Sequence, residues 1–195
     1  MSIKIGPYTL RYCLSTDEEQ ELRQLKTLCF AAMKDDLPTL RNLSSQGLDI
    51  QLCDAEMKTL LHLVHDGEVV GFLLECGCDS LALDSEQSTT LMHPGLDANA
   101  NRLLLAQGVD VHARDVHGNS ALYRQCDFSG IGWDNPNLDA LRVLLKAGVM
   151  DGNDDEIERI IETAAECVTS AGESNDVATL ARFLRKYKSM SRWPQ

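Results

Sequence analysis

A short pattern of apolar and polar positions recurs four times along this chain. In each copy an apolar helical segment ends in leucine, a glycine follows three or four positions later, and a small apolar residue and usually Asp come next. The copies are residues 43–49, 73–79, 104–110 and 144–149, and their glycines, Gly47, Gly77, Gly108 and Gly148, lie 30, 31 and 40 residues apart. Glycine adopts the left-handed conformation that ends a helix without steric cost. The pattern therefore predicts a repeated helix that stops at each glycine.

A second element follows each of the first three copies. An Asp opens a polar turn and a short helical segment comes next, in residues 54–62, 84–92 and 115–123. Together the two elements resemble the unit of the ankyrin repeat family, which reads Asp-x-x-Gly-x-Thr-Pro-Leu-His, a short helix, a longer helix with paired leucines and then Gly-Ala-Asp. The resemblance covers residues 28–150 best. It implies an all-α, ankyrin-like solenoid of about five helix-turn-helix repeats with degenerate caps.

The chain departs from that unit at several positions. Only Gly118 keeps the glycine of the turn, which is replaced by Met57 and Gln87 in the other two turns, and no turn keeps the proline. His62 is kept at the end of its motif, whereas the third and fourth units carry other residues there. Against a family period of about 33 residues, the second and third units are shortened, and the fourth gains an insertion at residues 124–137.

The ends of the chain are predicted to cap the stack. Residues 15–19 and Pro38 are typical of helix starts, and residues 154–171 and 175–190 are predicted as two closing helices. We expect an N-terminal extension at 1–14, a repeat domain at 15–190 and a tail at 191–195. The predicted units are 15–53, 54–83, 84–114, 115–153 and 154–190.

Composition narrows the class of partner. The 195 residues contain 18 Lys and Arg against 30 Asp and Glu, a net charge of −12. This charge disfavours nucleic acid and anionic membranes and favours a basic protein. The basic residues at 182–195 are interpreted either as a solvated last helix or as a secondary contact site.

The sequence also favours a cytoplasmic protein. No apolar run approaches the roughly 18 residues of a membrane helix, and the N-terminus lacks the continuous apolar segment of a secretion signal. Seven cysteines, spread along the chain, suit a reducing compartment, where most are expected to be buried thiols.

Two sets of residues suggest chemistry. His62, His65, Cys76 and Cys78 lie within 17 residues and carry the ligand types of zinc, so a zinc-binding protein is kept as the remote alternative. The resemblance instead implies a structural His62 that links neighbouring turns, with both cysteines at positions where the family has alanine. Cys126, His117 and Asp127 are close in sequence, but nothing fixes them within catalytic reach. We expect no enzyme activity, no bound metal and no cofactor.

Recognition is the remaining class of function. The turn tips are expected to carry a mostly negative row that attracts a basic partner or only keeps the protein soluble. These residues are Asp54, Glu56, Asp84, Glu86, Asp115 and His117. The insertion adds Phe128, Trp133 and Asp134, which are predicted either to anchor the partner or to cover the uneven stack.

We therefore expect a non-catalytic protein-protein interaction module. A short acidic array of this kind resembles inhibitors and immunity proteins that neutralise a toxin or another enzyme. An adaptor or scaffold in an intracellular complex is the alternative. A monomer is expected, with a dimer through an exposed end of the stack as the other possibility.

Overall fold

The computed structural model describes residues 2–5, 8–11, 16–126, 137–149, 155–162 and 175–191, and this part of the chain is mostly helical. The helices are α1 (Thr16–Met33), α2 (Leu37–Ser45), α3 (Gly67–Glu75), α4 (Ala98–Ala106), α5 (Ala121–Gln125), α6 (Leu138–Lys146), α7 (155–162) and α8 (Asn175–Ser191). Short 3-10 helices lie at Leu60–His62 and Thr90–Met92. The predicted helical class is confirmed. Within the described ranges, no helix combines the length and the apolar character that crossing a membrane requires.

The N-terminal extension contains a feature that the sequence analysis did not predict. Strands β1 (Ser2–Ile5) and β2 (Tyr8–Arg11) pair antiparallel, with Ser2 opposite Arg11 and Ile5 opposite Tyr8. The signal was present in the sequence, because apolar and polar residues alternate on both sides of a Gly-Pro pair.

Each predicted glycine stop is confirmed. The four glycines have φ between 83° and 89°. In each case the next N–H closes the helix by donating to the carbonyl five residues earlier, a bond that satisfies one of the free carbonyls at the helix end. These donor and acceptor pairs are Leu48 and Leu43, Cys78 and Leu73, Val109 and Leu104, and Val149 and Leu144.

Polar side chains begin the same helices. The carboxylate of Asp36 accepts from the Thr39 N–H at the start of α2, and Asp97 accepts from Ala100 at the start of α4. Asp66 and Asn137 do the same for α3 and α6. Each cap satisfies an N–H that has no partner inside the helix.

The core runs through the stack of helices. Helix α2 contacts α3, α3 contacts α4, and α4 contacts α6. The repeated leucines form its centre, because Leu73, Leu104 and Leu144 are fully buried and Leu43 is nearly so. These helices therefore bury their apolar faces against one another.

The closing helices pack onto this stack. Ile157 and Ile160 of α7 and Leu184 of α8 are buried, as their spacing predicts. Arg114 donates to the buried Glu156 of α7 at 2.7 Å, and the Tyr187 hydroxyl of α8 donates to the Leu145 carbonyl at 2.7 Å. The described part of the predicted 154–171 helix is α7, and α8 begins and ends within a residue of its prediction.

Candidate functional site

Three polar turns with the same internal geometry precede the short helices. In the 54–59 turn, Asp54 Oδ1 accepts from the Glu56 and Lys58 N–H groups, both at 2.8 Å. Asp84 Oδ1 makes the equivalent two bonds in the 84–89 turn, and Asp115 Oδ1 makes them in the 115–120 turn. The aspartate is thus the residue that folds each turn, since short side chains of this type bond their own backbone a few residues on.

Main-chain bonds join the three turns into one row. The Ser85 N–H donates to the Glu56 carbonyl at 2.8 Å, and the Val116 N–H donates to the Glu86 carbonyl at 2.9 Å. Side chains at the tips of successive turns therefore lie beside one another. We call the tip residues Glu56, Met57, Glu86, Val116 and His117 the turn face.

The aspartates do not project from this row as the sequence analysis expected. Asp84 and Asp115 are only 4% and 5% exposed, and Asp54 is half-buried. Their carboxylates point into the turns because the turns need them as hydrogen-bond acceptors. The expectation of six projecting side chains is therefore wrong for Asp84 and Asp115.

The remaining predicted tip residues are accessible. Glu86 and His117 are exposed and Glu56 is half-buried. Glu56 accepts from Lys58 at 3.0 Å, and Glu86 accepts from Arg124 at 2.8 Å. Both glutamates are thus paired with a cation at the protein surface, where such pairs are weak and screened by salt.

Two apolar tip residues were missed by the sequence analysis. Met57 is 58% exposed and Val116 is 59% exposed. Met57 also has a φ of 59°, a left-handed conformation that a large side chain seldom adopts. The available signal was the position itself, because Met57 replaces the glycine of the related turn at Gly118.

Arg124 links the third and fourth units. Its Nε donates to Asp115 Oδ2 at 2.6 Å, and its second nitrogen reaches Glu86. Burial alone would raise the pKa of Asp115, but the bonds from Asn119 and Arg124 outweigh it and lower that pKa. Asp54 has no such cation on its buried Oδ2 atom, so burial dominates and raises its pKa.

His62 links the second turn to the third. The Thr59 N–H donates to His62 Nδ1 at 3.2 Å, with the Thr59 hydroxyl 3.0 Å from the same nitrogen. The proton of the neutral ring therefore lies on Nε2, which donates to the Ser88 carbonyl at 3.3 Å. Burial lowers the pKa of His62 and favours this neutral form. This is the structural role that the resemblance implies.

The four candidate zinc ligands are not brought together. His65 bonds Asp35 through Nδ1 at 3.2 Å, and Cys78 donates its S–H to the Ile50 carbonyl. Burial raises the pKa of Cys78 to about 11, which keeps it a thiol rather than a metal-binding thiolate. Within the ranges that the structure describes, no group of three or more His, Cys, Asp or Glu side chains could hold a metal ion.

The other cysteine predictions have mixed outcomes. Of the described cysteines, Cys78 and Cys126 are buried, Cys29 and Cys76 are half-buried and Cys53 is exposed. Burial raises the pKa of Cys126 far above its ordinary value, so its sulfur is a poor nucleophile. Its predicted neighbour His117 is at an exposed turn tip, and Asp127 lies outside the described residues.

The inserted loop is the remaining predicted site. Phe128, Trp133 and Asp134 all lie outside the described residues, so their proposed role stays a prediction. The basic segment is described in part, and Arg182 and Arg185 are exposed on α8.

A comparison of the chain with protein-family models and with curated proteins finds no match.

Proposed function

We propose that this chain is an ankyrin-like repeat protein that binds a basic partner protein through the turn face and has no catalytic role. The observation that carries the proposal is the row of hydrogen-bonded turns, which sets acidic and apolar tip residues side by side. A continuous row of projecting tips is the part of a repeat array that commonly contacts partners.

The chemistry of the turn face supports a basic protein. Glu56 and Glu86 supply negative charge, and the chain as a whole carries −12. Met57 and Val116 supply exposed apolar surface beside these carboxylates. Apolar contacts surrounded by charge are typical of protein-protein interfaces, where charge speeds association and apolar burial provides affinity.

We further propose that binding inhibits the partner, as an immunity protein or other cytoplasmic inhibitor does. The support is the charge, since a strongly acidic protein can cover the basic site of an enzyme. Inhibition distinguishes this proposal from an adaptor or scaffold, because a scaffold leaves the activity of the captured protein unchanged.

The test is an affinity capture with three proteins. The wild type is compared with Glu56→Gln/Glu86→Gln on the turn face and with Glu68→Gln/Glu75→Gln on the exposed side of α3. Both variants lose two negative charges, so only the position differs. We expect a basic protein to bind the wild type and the α3 variant, to bind the turn-face variant at least several-fold more weakly, and to dissociate as salt rises.

Two results would contradict the proposal. Equal loss of binding in both variants would assign the effect to net charge rather than to the turn face. Undiminished binding by the turn-face variant would place the contact elsewhere. An activity assay of the captured protein then separates an inhibitor from a scaffold.

A further inference from the structure

A small polar pocket opens between the second, third and fourth units. Its volume is about 100 Å³. Its walls include Lys58, Asp84, Thr89, Met92, His93 and Arg124. It therefore lies where the short helices meet the polar turns, and Glu86 of the turn face is also part of its lining.

Three residues of these walls each carry a hydrogen-bonding atom that has no partner in the described part of the chain. Thr89 is only 6% exposed, and its buried hydroxyl makes no hydrogen bond. The buried Nε2 of His93 makes none either. Asp84 Oδ1 folds its turn, but its Oδ2 accepts no hydrogen bond from any residue within the described ranges. Unpartnered buried polar atoms such as those of Thr89 and His93 are uncommon and call for an explanation.

Each of the three atoms can accept a hydrogen bond. The Asp84 oxygen is a carboxylate, and a hydroxyl such as that of Thr89 accepts as readily as it donates. Burial, together with the neighbouring His65, lowers the pKa of His93 to about 3, so its ring is neutral at physiological pH. A neutral imidazole has one accepting nitrogen, and Nε2, which has no partner within the described residues, can be that acceptor.

The charges around the pocket favour a cation. Two cations, Lys58 and Arg124, lie among five carboxylates of the three turns, and both are already paired. Lys58 bonds Glu56, and Arg124 bonds Asp115 and Glu86. Asp84 is the wall carboxylate without a hydrogen-bonded cation in the described part of the chain. An incoming positive group can therefore bind it without displacing another.

We propose that this pocket binds a primary ammonium group, supplied in the complex by a lysine side chain of the partner protein. An ammonium is a compact cation with three donors, and Asp84, Thr89 and His93 of the lining each offer an acceptor. The Met92 side chain provides an apolar wall for the methylene groups of the lysine. Only the choice of lysine as the source rests on the proposed function.

The pocket is tested by titrating the isotope-labelled chain with n-butylammonium and following backbone amide signals by NMR. We expect saturable shifts at Asp84, Thr89 and their neighbours, and no such shifts with n-butanol, which has the same chain without the charge. Asp84→Asn and Thr89→Val are each expected to weaken binding about tenfold, the effect of losing a hydrogen bond to a charged group. Asp110→Asn, which changes a carboxylate away from the pocket, should leave binding unchanged.

The Thr89→Val variant distinguishes lost binding from misfolding. It removes a buried hydroxyl that has no partner, so the variant should unfold at the same or a higher urea concentration than the wild type. Asp84→Asn retains the oxygen that folds the turn. If n-butylammonium causes no saturable shifts, or if both variants bind it as the wild type does, the pocket holds only water and the proposal is wrong.

A second titration identifies the source of the ammonium. A capped Gly-Lys-Gly peptide that causes the same shifts, with the same loss in Thr89→Val, supports a partner lysine. Binding of n-butylammonium without binding of the peptide overturns that assignment and identifies a small free amine as the ligand. Neither titration contains the partner, so failure here is distinct from failure of the capture experiment.

Discussion

The 54–62 and 84–92 segments have the same backbone but different hydrogen bonding at their ends. In the first, His62 bonds Thr59 within its own turn and Ser88 in the next one. In the second, Met92 is at the equivalent position, and the Thr89 hydroxyl is left without a partner. The residue at this one position thus decides whether the threonine hydroxyl of the turn has a hydrogen-bond partner. The difference teaches that a repeat can keep its turn and its short helix while a buried polar group at the junction loses its partner.

The largest expected effect comes from making the first segment resemble the second. His62→Met removes the ring that accepts from Thr59 and donates to the buried Ser88 carbonyl. We expect the free energy of unfolding in urea to fall by about 2–3 kcal/mol. The Thr59 N–H and the Ser88 carbonyl would stay buried but would no longer have the hydrogen bonds that compensate for their removal from water. His112→Met, an exposed control, should change it by less than about 0.5 kcal/mol. A loss equally small for His62→Met would show that the ring contributes only packing.

The second largest effect on stability is expected from removing Arg124, the cation that bonds Asp115 in the fourth unit. Arg124→Gln leaves Asp115 Oδ2 with the bond from Asn119 Nδ2 but without its hydrogen-bonded cation, and should lower the free energy of unfolding by about 1–2 kcal/mol at pH 7. Arg142→Gln is the control, because its partner Asp139 is exposed, and it should cost less than about 0.5 kcal/mol.

The pH dependence of this variant follows from the lowered pKa of Asp115. An acid whose pKa is lowered by folding adds stability above its ordinary pKa of about 3.9, and that stability disappears as the pH falls through the lowered value. The difference between wild type and Arg124→Gln should stay constant from pH 7 to about 5 and shrink below about 4. A difference that grows on acidification would contradict the assignment to Asp115.

The smallest expected effect comes from making the second segment resemble the first. Met92→His places an imidazole nitrogen where the Thr89 hydroxyl can bond it, as Thr59 bonds His62. We expect a gain of about 1 kcal/mol in the free energy of unfolding, one net hydrogen bond. Met92→Leu, which cannot bond Thr89, should bring no gain. Destabilisation by Met92→His would mean that the two junctions differ in backbone position as well as in side chain.

The helices and their ends could be predicted because their signals are local. Gly47 and Gly148 end helices because glycine readily adopts the left-handed backbone conformation. Leu73 and Leu104 are recognisable because they recur at the same position before such a glycine. The role of His62 was implied by a family resemblance and is borne out by its two bonds.

The candidate site could be predicted only in part, because its side chains act across units. An aspartate that folds a turn and one that projects into solvent look the same in a sequence, so Asp84 was assigned to the surface. Arg124 bonds Glu86, 38 residues earlier, and belongs to a segment taken for an inserted loop. The pocket was not predicted because its unpartnered Thr89 hydroxyl follows from Met92, which occupies the position that His62 has in the first segment and cannot replace its hydrogen bond.

The main-chain bonds between successive turns bear on how such a protein can evolve. The Ser85 and Val116 N–H groups and the Glu56 and Glu86 carbonyls that join the turns belong to the backbone, so nearly every residue type supplies them. We therefore expect the bonds between turns to survive the replacement of a tip side chain, whereas replacing a turn-folding aspartate removes bonds that hold the turn itself. Accordingly, we expect the tip residues to diverge faster than the turn-folding aspartates beneath them.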